Sequence, residues 1–157
     1  MQTKTEIMML ADKFIGEGYL CSESVLLSLN EYLKIQSEII PKIATGFGAG
    51  IGRHGEVCGA LSGAVMGLGL RFGRTIVSET PPDTSPYAYS TEIVNLFVTR
   101  FGHIRCRDLL GLDLRTEKDR RTYKDQQVWE TRCREIVRIT TGLAYDLFQA
   151  KDPDSKD

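Results

Sequence analysis

Four cysteines, Cys21, Cys58, Cys106 and Cys133, are the residues of this chain best suited to chemistry beyond packing, and they are spread along most of its 157 residues. A thiolate is a nucleophile and a soft metal ligand, and two thiols make a disulfide. Three uses are therefore open: buried thiols, ligands to a metal or cluster, or a redox-active pair. No C-x-x-C occurs, which removes a thioredoxin-type motif and the local ligand spacing of zinc ribbons and ferredoxins. A shared site must be assembled by tertiary structure. Taken singly, each cysteine reads as a small buried hydrophobe. A dithiol pair would need an attacking thiol of depressed pKa and a partner at about 5.5 Å between Cα atoms, and Cys21 and Cys58 are the candidates for the attacking role. The two histidines, His54 and His103, read as polar loop residues without a nearby nucleophile, so no hydrolytic mechanism follows.

These cysteines have to be positioned by helices. Thr3-Lys4-Thr5-Glu6 is a capping box, followed by Ile7, Leu10, Ala11, Phe14 and Ile15 at helical spacing as far as Gly16 or Gly18. A second helix starts at or just after Cys21, with Ser22 as its expected cap and Val25, Leu26, Leu29, Tyr32 and Leu33 on its apolar face. The positive end of that helix favours a Cys21 thiolate relative to an apolar burial site. Ser37 is expected to cap a short helix through IIPKIA, with Pro41 in its first turn.

The segment Gly50-Ile51-Gly52-Arg53-His54-Gly55 fits G-x-G-x-x-G, but no strand precedes it and no βαβ pattern surrounds it, which argues against a dinucleotide site. From Val57 to Phe72 a helix is predicted in which Gly59, Gly63 and Gly67 form one ridge and Ala60 and Ala64 the next. Interior glycine costs a helix about 1 kcal/mol against alanine, and the expected compensation is close approach of a neighbouring backbone. The proline-rich run Thr75–Ser90 reads as a loop. A helix then starts with Ser90 or Thr91 as cap and ends at Gly102. A turn through IRCRDLLG points Cys106 inward, a polar stretch RTEKDRRTYKDQQ follows, and a last helix from about Val128 to Gln149 carries Cys133 on its apolar stripe. The fold expected is all-α: a single-domain bundle of about five or six helices around the Gly/Ala-rich helix, spanning 1–150, with 151–157 as a frayed tail.

Composition narrows the partners. The formal net charge is −1 and 26% of residues are charged, so nothing pulls the chain as a whole toward nucleic acid or anionic lipid. The arginines between Arg100 and Arg138 are interleaved with acids such as Asp108, Asp113 and Glu130, as on a solvated salt-bridging surface. The apolar run Val57–Leu70 is too short to span a bilayer. The amino terminus lacks the apolar core of a secretory signal, which predicts a cytoplasmic protein without permanent disulfides. The Gly/Ala ridges and the aromatic pair Tyr87 and Tyr89 would suit a homodimer interface, although intramolecular packing explains the ridges equally well.

Cys21-Ser22-Glu23-Ser24-Val25, Cys58-Gly59-Ala60-Leu61-Ser62-Gly63, Cys106-Arg107-Asp108-Leu109-Leu110-Gly111 and a final helical Cys133 occur in that order. Over residues 5 to 148 this resembles the redox-active protein family named for its C_GCAxxG_C_C cysteine pattern. The resemblance implies a small helical domain with a redox role and assigns Cys21, Cys58, Cys106 and Cys133 to one site. A related domain in split-Soret cytochromes is associated with an iron-sulfur cluster, but no C-x-x-C-H haem attachment site is present here. Four thiolates fit a [2Fe-2S] or [4Fe-4S] cluster for electron transfer with an unidentified redox partner, and backbone N–H groups of the Gly46–Gly59 loop would tune it. The alternatives that stay open are a thiol/disulfide pair, a structural tetrahedral zinc site on the same cysteines, and a structural or interaction domain whose cysteines only pack.

Overall fold

Helix α1 (Lys4–Gly16) is started by the predicted capping box: the Thr3 hydroxyl accepts from Glu6 N–H while the Glu6 carboxylate accepts from Thr3 N–H. Its buried stripe is Ile7, Ala11 and Ile15. Helix α2 (Cys21–Leu33) follows. Ser22 does not cap it. That residue is fully buried and its hydroxyl donates to the Ala44 carbonyl at 2.7 Å. Glu23 does the capping instead, accepting from Leu20 N–H at 2.9 Å and from the Thr45 hydroxyl at 2.5 Å. The helix expected through IIPKIA is a 3-10 helix, Lys42–Phe47, with Pro41 just before it. It leads into a four-residue turn, α3 (Gly48–Ile51), that winds left-handed.

Helix α4 (Gly59–Phe72) is the glycine-rich segment, and its ridge packs against α2. A Cβ on Gly63 would fall 2.5 Å from the Ser22 carbonyl oxygen, and one on Gly67 would overlap the Leu29 side chain. Absence of side chains on this ridge is thus what lets the two helices touch along backbone. Val57 lies outside the helix, paired antiparallel with Arg105. Helix α5 (Pro86–Phe101) begins earlier than its expected Ser90 or Thr91 cap and ends, as expected, before Gly102 at φ +84°. Next come α6 (Cys106–Leu110), α7 (Glu117–Asp125), a π-helical turn Trp129–Cys133 and α8 (Arg134–Lys151).

This computed structural model describes residues 2–77 and 86–151. The middle of the expected Thr75–Ser90 loop and most of the expected 151–157 tail lie outside them. Among the described residues the chain is all-α, with eight α-helices and no strand. The excess over five or six comes from the short α3, α6 and α7. Ile15, Val25, Leu29, Leu61, Leu68, Ile93, Phe97, Val137 and Phe148 form one buried core, to which α4 contributes against α2, α5 and α8. No helix of the described residues is long and apolar enough to cross a membrane.

Candidate functional site

Cys21 is the first residue of α2 and is buried. Its Sγ is faced by backbone N–H groups of Ala49, Ser22 and Gly59 and by its own. Two helix starts supply part of this cradle, since Gly59 opens α4 just as Cys21 opens α2. The left-handed turn supplies the rest. Ala49, Gly50, Ile51, Gly52 and Arg53 all have φ between 54° and 70°. The three non-glycine members each cost about 1–2 kcal/mol of backbone strain, which the surroundings must hold. Gly52 N–H donates to Gly46 O at 3.1 Å and Glu56 N–H to Gly50 O at 2.9 Å. Glycine is required at position 50, where a Cβ would lie 2.7 Å from the Cys106 Cβ and 2.6 Å from Glu56 N. Gly59 is equally constrained, because a Cβ there would overlap the Cys21 sulfur.

Cys58 caps the start of α4, and Cys106 is the first residue of α6. A two-rung ladder holds them in register: Cys58 N–H donates to Ile104 O and Cys106 N–H to Glu56 O, both at 2.7 Å. Alternation about the Val57–Arg105 pair puts both cysteines on the same side of it. Arg107 clamps the ladder, donating to His54 O at 2.8 Å and to the Glu56 carboxylate at 2.6 Å. The Cys58 sulfur in turn faces the N–H groups of Ala60 and Leu61.

Cys133 ends the π-helical turn before α8 and is half-buried, the least enclosed of the four. It meets the Tyr123 hydroxyl, which comes from α7, at 3.5 Å. All four cysteines line one cavity of about 60 Å³, together with Ala49, Leu114, Tyr123, Trp129 and Ile136 among others. His54 and His103 are exposed, and neither lines it. The sequence pattern does not mark Tyr123, Trp129 or Leu114. Its one available signal was an aromatic residue in an otherwise polar helix ten positions before Cys133.

The family C_GCAxxG_C_C, described as "Putative redox-active protein (C_GCAxxG_C_C)", matches residues 19–147, which include all four cysteines of the cavity. The chain belongs to this family. No curated protein and no solved structure matches it. The C_GCAxxG_C_C segment written here as Cys58-Gly59-Ala60-Leu61-Ser62-Gly63 therefore has a physical reading in this fold. Its cysteine lines the cavity, its first glycine lets the Cys21 sulfur approach, and its last lets α2 approach.

Burial dominates the electrostatics. It pushes the Cys21 thiol up despite the N–H groups around it, so the helix-start advantage expected from the sequence is outweighed. Burial, followed by the nearby Cys21, drives Cys58 well above the ordinary thiol range. Cys106 is pushed up to about 12 by burial, then by Cys21 and Cys133. Cys133 is pushed up to about 11 by burial, with Tyr123 pulling the other way. Four thiols that resist ionisation together are poor attacking nucleophiles at neutral pH. A cationic centre among them reverses this, because a coordinated thiol is deprotonated outright.

The donor set can be tested against the groups the family implies. Among the described residues no three His, Cys, Asp or Glu side chains converge as the ligands of one metal ion do. That arrangement is a poor fit to a closed tetrahedral zinc site. Four soft thiol donors lining one cavity, with backbone N–H groups directed at two of them, have the donor chemistry that an iron-sulfur cluster takes.

Proposed function

We propose that this redox-family protein is an electron-transfer protein in which Cys21, Cys58, Cys106 and Cys133 hold an iron-sulfur cluster. The observation that carries the reading is the convergence of four cysteines, far apart in sequence, on one cavity. When bound, the cluster supplies one-electron transfer. The chain's residues supply everything else. Cys21 and Cys58 present sulfur against backbone N–H groups that offset its negative charge. Arg107 and the ladder between residues 55–58 and 104–107 fix Cys106 relative to Cys58. Leu109, Leu114 and Ile136 keep water from the sulfurs, and half-buried Cys133 marks the side on which a redox partner comes nearest. Burial of the thiols favours this reading over a dithiol pair, since a resting thiolate is what a dithiol exchange centre requires.

The test is anaerobic purification followed by iron and acid-labile sulfide analysis, on the wild type and on each single Cys→Ser variant. Wild-type protein is expected to bind iron and sulfide in near-equal amounts, and each substitution to diminish the same absorption signal. No iron at any stoichiometry, four freely reactive thiols and no reversible disulfide would sink the redox reading in both its forms. Four unrelated stability losses without a shared signal would identify packing cysteines.

A further inference from the structure

Among the described residues, backbone N–H groups face the sulfurs of Cys21 and Cys58, whereas the Cys133 sulfur meets a side chain, the Tyr123 hydroxyl. We propose that Tyr123 is the positioning residue of the cysteine site, its hydroxyl donating to the Cys133 sulfur and fixing that side chain toward the cavity. This deepens the four-cysteine reading and rests on it.

Helix α7, EKDRRTYKD, buries none of its residues fully and has no aliphatic side chain to anchor it. Helices of this size are marginal in water without tertiary packing, so its placement needs another cause. Its amino end is tied to the preceding loop: Asp119 accepts from Asp113 N–H at 2.7 Å, and Arg120 donates to the Leu114 and Arg115 carbonyls at 3.0 and 2.7 Å. Leu114, on that loop, lines the cavity. Its carboxyl end turns back through Gln127 at φ +50°, a left-handed conformation uncommon outside glycine. That reversal brings Tyr123 to face Cys133. Tyr123 also lines the cavity itself, so α7 is bound to the site at both ends.

Cys133 needs such a partner. It closes a π-helical turn, where the regular helical ladder is interrupted, and it is less enclosed than the other three cysteines. A phenol is an O–H donor, so once Cys133 is ionised or ligating, the hydrogen bond runs from oxygen to sulfur. Donation to a ligating sulfur withdraws charge from it and favours the reduced state of a centre it binds.

The experiment compares full-length wild type with Tyr123→Phe, which keeps the ring and removes the hydroxyl. Tyr145→Phe serves as the control, deleting the hydroxyl that donates to Gln2 O on the far part of α8. In reduced, cluster-free protein the Hα–Hβ couplings of Cys133 are expected to report one rotamer in wild type and Tyr145→Phe, and rotamer averaging in Tyr123→Phe. In protein loaded with iron and sulfide, the midpoint potential is expected to move to more negative values in Tyr123→Phe alone. Unchanged Cys133 couplings, or an unchanged potential, overturn the proposal. If wild type binds no iron, the cluster reading has failed and the couplings still decide the role of Tyr123. If Tyr123→Phe does not fold by circular dichroism, the wild type decides: contact between the Tyr123 ring protons and Cys133 Hβ supports the proposal, and its absence overturns it.

Discussion

Replacing Gly59 by alanine should test the cysteine cradle at its tightest point, and Gly69→Ala on the same helix provides the matched control. Both glycines have ordinary helical backbone, so alanine is locally favoured at each by up to about 1 kcal/mol, less at a first helical position such as 59. Space decides the difference. A Cβ at Gly69 meets nothing within 4 Å, whereas one at Gly59 lies 3.0 Å from the Phe47 carbonyl oxygen, 3.2 Å from Ser22 N, and closer still to the Cys21 sulfur. Two of these neighbours are backbone, and the third is pinned by N–H groups. Overpacking of this kind costs about 1–3 kcal/mol. The net expectation is a loss of about 1–2 kcal/mol for Gly59→Ala, lowering Tm by roughly 2–8 °C, against a gain of up to about 1 kcal/mol, or roughly 2–4 °C, for Gly69→Ala. Chemical denaturation and thermal melts measure both. A double-mutant cycle locates the clash: in a Cys21→Ala background, where the sulfur is gone, the penalty of Gly59→Ala should fall. If Gly59→Ala is as stabilising as Gly69→Ala, or costs the same with and without the Cys21 sulfur, the close approach described for this site is wrong.

Arg107 is expected to matter more than a surface arginine, because it donates to a carbonyl and a carboxylate across the ladder that registers Cys58 and Cys106. Arg107→Ala should cost about 1–2 kcal/mol by denaturation, hydrogen bonds to charged groups being stronger than neutral ones. Arg107→Lys should recover only part of it, since an ammonium lacks the planar fork. The pair between Asp12 on α1 and Arg134 at the start of α8 is two-pronged, at 2.6 and 2.7 Å. Hydrogen bonding to Arg134 holds the Asp12 carboxyl below its ordinary value. Stability from a depressed carboxyl is present above its unfolded pKa of about 3.9 and is lost as pH falls through the folded value. Asp12→Asn should therefore cost about 1 kcal/mol or less at pH 7, the pair being partly exposed. It should also flatten the loss of stability below about pH 4 in denaturation curves taken across pH.

Periodicity and capping chemistry made the main helices legible. Thr3 and Glu6, the apolar stripe of α2 and the stops at Gly16, Gly102 and Gly111 all express local rules that act within a few residues. The Gly59–Gly63–Gly67 ridge was legible for a different reason: an interior glycine every fourth residue makes sense only if something lies against it, and α2 does. What escaped was decided by tertiary structure. Ser22 looked like a cap but found a better partner in the Ala44 carbonyl, while Glu23 took its place. Helix α7, EKDRRTYKD, has no apolar period to read, Tyr123 being its one aromatic residue. The glycines of GFGAGIGRHG point to a tight turn with close approach, which Gly50 and Gly52 make, but alanine, isoleucine and arginine do not advertise the positive φ they share with them. The order of the cysteines suggested a common site, but their meeting at one cavity depends on a ladder between residues some fifty positions apart that no local pattern encodes.

That ladder has a further consequence. Cys58 N–H donates to Ile104 O just where the chain enters α4 and just after it leaves α5. The ends of α4 and α5 that lie beside the sulfurs are therefore tied to one another by backbone. A substitution that loosens this backbone tie is thus expected to disturb Cys58 and Cys106 together, so the two cysteines behave as one mechanical unit rather than as two separate ligands.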